Sequence, residues 1–145
     1  MDFGKLHVML VHFPIALGLA AVLADAIWLI SKKDFFRQAG LWCLLLAALS
    51  AIPTVIAGDS HLDAQIYIGE VKRIAGIHET LGYLTMGVLL AAALLRCIRK
   101  NRPAGAWLGI YAVLMAGAAG LISLTGYYGG ELTHGINYLK GLFGG

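Results

Sequence analysis

The residues of this chain that could carry chemistry are its five histidines, His7, His12, His61, His78 and His134. Imidazole is a common ligand of zinc, copper and iron, and it changes its charge near neutral pH. The first two histidines open an apolar run that continues to Ile30. Ionisable side chains at membrane depth are costly to bury, so they usually face the protein interior and pair or bind a ligand. This run therefore predicts one half of a metal or haem site.

The composition is that of a membrane protein. Of the 145 residues, 59% are hydrophobic and only 13% are charged, against roughly 25% charged residues in ordinary soluble domains. Four apolar runs, at about 8–30, 39–58, 74–95 and 106–127, are each near the ~20 residues that cross a bilayer. They predict an all-α integral membrane four-helix bundle with up-down-up-down topology, occupying 1–145 as a single transmembrane domain.

The loops predict an orientation. The basic residues concentrate in the first and third connections, at Lys32, Lys33, Arg37, Arg96, Arg99, Lys100 and Arg102. By the positive-inside rule these loops are cytoplasmic. Both termini and all five histidines then lie on the outer side of the membrane. Since no basic patch lies outside these short loops, the sequence indicates no nucleic-acid partner.

His12 and His78 are the predicted haem ligands. Each lies roughly five residues inside its predicted helix, so at ~1.5 Å per residue the two have similar depth. Their helices run in the same direction and stand diagonally across the bundle, an arrangement that suits axial ligation of haem b. Ala16 and Gly82, four residues further on, share a face with their histidine and leave room for a porphyrin. The cations expected near the haem propionates are Lys72 and Arg73.

A second metal site is an open alternative. His7 and His12 are five residues apart, about 140° around a helix, so they serve different sites. At the surface, His7, His134 and Glu131 suit Zn or Cu. For His61 we expect only an interfacial ring that is hydrogen-bonded to backbone or water.

Three other features complete the predicted organisation. Gly129 and Gly130 are expected to end the fourth helix, and 131–143 is then a short amphipathic helix at the membrane interface. Asp25 is expected to pair with a Lys or Arg near the interface, with a proton path as the alternative. No internal repeat of useful strength is visible.

Several of these residues also carry a family resemblance. The run from His7 to Leu17 with its His-Phe-Pro segment, then Asp25, His78 and the stretch from Gly129 to Gly135, resemble the four-helix bacterial membrane proteins of domain-of-unknown-function family 2231. The likeness spans nearly the whole chain. Some relatives are joined to Rieske-type iron–sulfur or cytochrome c-like domains, so the resemblance implies redox work.

Together these observations predict a membrane cytochrome b-like electron-transfer protein, an oxidoreductase component that exchanges electrons with a quinone or a periplasmic redox partner. The alternative is a non-redox membrane protein whose histidines bind Zn or Cu. The glycines of the fourth helix would also suit a homodimer.

Overall fold

The fold was obtained as a computed structural model, which describes residues 3–63 and 68–135. This part of the chain forms five α-helices, which are α1 (Phe3–Leu10), α2 (His12–Ser31), α3 (Asp34–Asp63), α4 (Gly69–Ile98) and α5 (Ala106–His134). Val11 alone separates α1 from α2, so they form one membrane span, Gly4–Ser31. The other three spans are Asp34–Ser60, Gly69–Ile98 and Ala106–His134. The all-α membrane bundle of four spans is thus confirmed.

The interruption at Val11 follows from Pro14. Proline has no backbone N–H, so the carbonyl of Leu10 loses the partner that a regular helix would give it. Val11 keeps helical angles (φ −58°, ψ −28°), and its N–H still donates to the carbonyl of His7 at 2.9 Å. The first span therefore begins well before Pro14, and His7 is part of it.

The observed spans are longer than the predicted ones. α4 starts at Gly69 rather than 74, and α5 runs to His134 rather than 127. The expectation that Gly129 and Gly130 end the fourth helix is wrong, because both are helical. Gly129 has a packing reason to be there, since it contacts the ring of His78. Of the expected interfacial helix 131–143, the first four residues belong to α5, and 136–143 lies outside the described residues.

Small side chains line the bundle interior. α2 packs along α3 and α4 along α5, and α3 also contacts α4. The side chains with no exposed surface in this core are Ala21, Leu44, Ala47, Leu89, Ala92 and Ala118. Alanine allows membrane helices to approach closely. Large apolar side chains such as Leu23, Trp42 and Val113 remain exposed on the outside, where the lipid bilayer covers them.

The two ends of the bundle differ in their polar residues. One end, where short connections join α2 to α3 and α4 to α5, holds Asp25, Arg37, Arg96, Asn101 and Tyr111, and we call it the Arg96 end. The other end holds His7, His12, His78 and His134, and we call it the histidine end.

Candidate functional site at the histidine end

The structure brings His7 and His78 together. His7 lies on α1 and His78 on α4, and their ring centroids are 6.2 Å apart with the ring planes at 89°. Both side chains are half-buried. Because they come from different hairpins of the bundle, the pair forms only when the first and third spans are packed across its centre.

Backbone carbonyls fix the tautomer of both rings. Nδ1 of His7 lies 2.9 Å from the carbonyl oxygen of Thr54, and Nδ1 of His78 lies 3.0 Å from that of Thr125. A carbonyl oxygen can only accept, so Nδ1 carries the proton in each ring and donates it. Nε2 is then the unprotonated nitrogen in both neutral rings. Histidines that bind metals are commonly held by such a hydrogen bond from their second nitrogen.

Two glycines make room for the rings. A Cβ added at Gly58 on α3 would come within 2.9 Å of Nδ1 and Cε1 of His7. A Cβ added at Gly129 on α5 would lie 3.0 Å from Cε1 of His78. The separations at Gly58 are shorter than those that Cβ atoms make in proteins, and the separation at Gly129 would require the His78 ring to shift by a few tenths of an ångström. The placement of the His7 ring therefore requires glycine at position 58, and the placement of the His78 ring favours it at position 129.

A cavity of about 590 Å³ opens beside the pair. Its walls are mostly apolar and include His7, His12, His78 and His134. This volume lies in the range of roughly 300–1,000 Å³ that small-molecule and cofactor sites occupy. The histidine end therefore combines paired imidazoles with space for a ligand.

His12, the first residue of α2, lies at the edge of this arrangement. It lines the cavity, but its side chain is exposed. The ring against His78 is that of His7. Gly82 also lines the cavity, whereas Ala16 is exposed. Ligation by His12 stays a prediction, and its depth argument loses force because α4 starts five residues earlier than the predicted helix.

The cations predicted for haem propionates lie on the first turn of α4. Lys72 and Arg73 are both exposed. Nε of Arg73 donates to Oε2 of Glu70 at 2.9 Å, and Nη2 pairs with Oε1 of the same carboxylate. The guanidinium of Arg73 thus already has an acidic partner on its own helix.

The residues of the predicted second metal site lie near the end of α5. Glu131 is buried, while His134 is exposed, with Nδ1 2.8 Å from Oγ1 of Thr133 and 3.2 Å from the carbonyl oxygen of Gly130. The side chain of His61, in the last turn of α3, lies outside the described part. Within residues 3–63 and 68–135, no three His, Cys, Asp or Glu side chains are grouped to hold one metal ion.

At the opposite end, buried charges form a cluster that the sequence did not predict as a unit. Nη1 of Arg96 donates to Oδ1 of Asp25 at 2.7 Å and to the hydroxyl of Tyr111 at 2.9 Å. Nε of Arg96 donates to Oδ1 of Asn101 at 2.6 Å, and Nη2 donates to the carbonyl of Arg37 at 2.7 Å. Tyr111 in turn donates to Oδ2 of Asp25. Arg96 is 0% exposed and Asp25 only 4%.

The chain matches the family model DUF2231, which is described as a predicted membrane protein, over residues 5–138. It belongs to this family. The matched region of this DUF2231 chain contains both the histidine pair and the Arg96 cluster. No curated protein and no solved structure matches the chain.

Two contacts in this DUF2231 protein differ from those that the sequence predicts. The expectation that Asp25 pairs with a basic residue is confirmed, but its partner is Arg96 at the end of α4, which the sequence argument placed in a loop. The predicted first span begins at about residue 8, so the sequence puts His7 at the surface and on a different helix face from His12. Pro14 gave the opposite signal, since proline is typical of the first turn of a helix.

Proposed function

We propose that this protein is a cytochrome b-like electron-transfer protein of the membrane, in which His7 and His78 would hold the iron of a haem b at the histidine end. The observation that carries the proposal is the pair of neighbouring imidazoles, whose ring centroids are 6.2 Å apart and whose Nδ1–H groups are each held by a backbone carbonyl. His7 takes the role that the sequence argument gave to His12, because its ring is the one beside His78.

The centroid separation is close to the one that a single metal ion bound between the two Nε2 atoms would require. A metal–nitrogen bond of about 2.0–2.1 Å and a ring radius of about 1.1 Å on each side put the centroids about 6 Å apart. The observed separation is 6.2 Å. Two nitrogens leave most of the coordination of an iron ion open, and a porphyrin supplies four more nitrogens. The mostly apolar cavity of about 590 Å³ suits such a macrocycle.

The protein's own groups set up the site. The carbonyls of Thr54 and Thr125 hold both rings in the tautomer that leaves Nε2 for the metal. Gly58 and Gly129 let the rings sit against α3 and α5. When bound, haem would supply a one-electron iron couple whose potential depends on these ligands and on their burial.

The orientation and the partners belong to the same proposal. The basic residues at the Arg96 end favour placing that end in the cytoplasm and the histidine end at the periplasmic face of a bacterial inner membrane. The electron partner is then a quinone from the bilayer or a periplasmic redox protein. Cys97 is exposed near the Arg96 end, so an impermeant thiol reagent should leave it unlabelled in intact cells. Strong labelling of Cys97 would show the opposite orientation, with the histidine end in the cytoplasm.

A second candidate is a membrane protein that binds Zn or Cu without redox work. The observation that favours it is that His12 and His134 line the same cavity as the pair. Imidazole nitrogens suit both metals, and two further histidines could complete a four-ligand set after a local change in side-chain rotamers.

The test is to purify the protein in detergent, reduce it with dithionite and record its spectrum together with its iron, copper and zinc content. Haem gives sharp b-type Soret and α bands, lost in His7→Ala and retained in the matched control His12→Ala. A colourless protein with stoichiometric zinc or copper would establish the second candidate. Loss of the bands in His12→Ala but not in His7→Ala would restore His12 as the ligand.

A further inference from the structure

The two anchored histidines have the same sequence relation to the carbonyls that hold them. The acceptor follows its histidine by 47 residues in both cases, Thr54 after His7 and Thr125 after His78. A shift of 71 residues therefore converts one hydrogen bond into the other. The same shift takes Gly58 to Gly129, the glycines that contact these rings.

The shift also relates the helices themselves. Moved by 71 residues, α3 would span 105–134, and α5 is Ala106–His134. The buried stripe of α2 recurs on α4, where Pro14, Gly18, Ala21 and Asp25 correspond to Thr85, Leu89, Ala92 and Arg96. The described chain thus divides into a first hairpin (α1 to α3) and a second hairpin (α4 and α5) with equivalent positions.

Equivalent residues contact one another along a single line. The rings of His7 and His78 are 6.2 Å apart at one end, and Asp25 is 2.7 Å from Arg96 at the other. Between them, a Cβ at Gly18 would lie 3.8 Å from the side chain of Leu89. Steps of 11 and 7 residues are about three and two helical turns, so the three pairs lie on one helix face.

A residue meets its own equivalent only at a two-fold axis, as in an isologous dimer interface. The axis here runs along the bundle between α2 and α4, and so along the membrane normal, as in transporters built from parallel repeats. The two hairpins are therefore packed as the subunits of a symmetric dimer are packed.

One pair on this axis is not symmetric in charge. The first hairpin carries an acid there, Asp25, and the second carries a base, Arg96. Pairing two first hairpins would place two buried carboxylates side by side, and pairing two second hairpins would place two guanidinium groups together. Both are strongly unfavourable in a buried site, whereas the unlike pair is fully hydrogen-bonded.

We propose that the inward face of each hairpin is an interaction surface for the other hairpin. The Asp25–Arg96 pair on the two-fold axis allows a first hairpin to pair only with a second hairpin, and not with another first hairpin. The histidine site is then a product of that pairing, because each hairpin supplies one imidazole, one carbonyl and one glycine. This pairing of the hairpins does not depend on which group the histidines bind.

The test uses two full-length variants with different tags. Asp25→Arg places a base on the axis in both hairpins, and Arg96→Asp places an acid in both. Each variant alone should accumulate at least about tenfold less than the unmodified chain, because breaking a buried charge pair is strongly destabilising. Expressed together, they should exchange hairpins, recover their accumulation and purify as a complex with one copy of each tag.

Two controls make the result decisive. Arg99→Asp reverses an exposed charge next to the same helix end, so it should accumulate normally and should not purify with Asp25→Arg. The double variant Asp25→Arg/Arg96→Asp in one chain should have a higher unfolding midpoint than either single variant. Absence of the mixed complex, normal accumulation of either single variant, or no recovery in the double variant would overturn the proposal.

Discussion

The two ends of this bundle treat their ionisable groups in opposite ways. At the Arg96 end a buried guanidinium has all its partners within the protein, and the described residues contain no buried side-chain polar atom without a hydrogen bond. At the histidine end His7 and His78 use one nitrogen each for the protein and border a cavity of about 590 Å³. The comparison separates a buried cluster whose groups bond only to one another and to the backbone from a histidine pair that borders a cavity.

The difference has a physical basis in the membrane. A buried charge that lacks any of its partners is costly, so a charged cluster must be complete to be tolerated. A neutral imidazole costs much less to bury, and its second nitrogen can stay open. The histidine end can therefore contain a ring nitrogen without a hydrogen-bond partner, whereas a buried charged group at the Arg96 end needs all of its partners.

The largest expected effect is the loss of Arg96. Arg96→Met leaves the carboxylate of Asp25 buried without its cation, and should lower the free energy of unfolding by about 3–5 kcal/mol. The measurement is unfolding in detergent by circular dichroism. The matched control is Arg99→Met, whose guanidinium is exposed and stacks on Trp107, so its loss should cost no more than about 1 kcal/mol. Equal effects of the two variants would show that the cluster does not stabilise the bundle.

A smaller effect is expected from crowding the same cluster. A Cβ at Gly40 would overlap Oδ1 of Asp25, so Gly40→Ala should destabilise the protein by about 1–3 kcal/mol. Gly109→Ala is the control, since that position has no neighbour within 4 Å. The control should be neutral or stabilising by up to about 1 kcal/mol, through helix propensity alone. A stabilising Gly40→Ala would contradict the packing described at the Arg96 end.

The smallest expected effect on stability is at the histidine end. Gly129→Ala pushes on the ring of His78, which borders the cavity and can move into it, so the unfolding free energy should change by less than about 1 kcal/mol. Binding of the cofactor should nevertheless be weaker, because the His78 ring must shift against its carbonyl partner. Gly120→Ala, with open space around it, should change neither quantity. An unchanged cofactor content in Gly129→Ala would contradict the role of His78 in binding the cofactor.

Much of the fold could be predicted from the sequence, because hydropathy alone defines four spans and the loop charges separate the two ends. The pairing of the histidines could not. It depends on a helix that begins before Pro14 and on the start of α4 at Gly69, and helix ends carry the weakest sequence signal. For the same reason the sequence places Arg96 in a loop. It therefore predicts that Asp25 pairs with a Lys or Arg, but it does not identify Arg96 as that partner.

The equivalence of the two hairpins could not be recognised from the sequence for a different reason. Hydrophobic membrane helices share composition, so the matching residues that matter are few and far apart, such as His7 with His78 and Thr54 with Thr125. At the Arg96 end the equivalent residues have opposite charges, and no comparison by similarity would align them. Only the contacts in three dimensions show that these positions correspond.

The central claim is that His7 and His78 form one site that neither can form alone. The most direct test is the amount of cofactor bound per chain, by pyridine haemochrome for haem and by elemental analysis for metal, in His7→Ala, His78→Ala and the double variant. Each single variant should lose all of the cofactor that the unmodified chain binds, and the double variant should show no further loss. Retention of half of the cofactor in each single variant would mean two separate sites, and full retention in either would contradict the account.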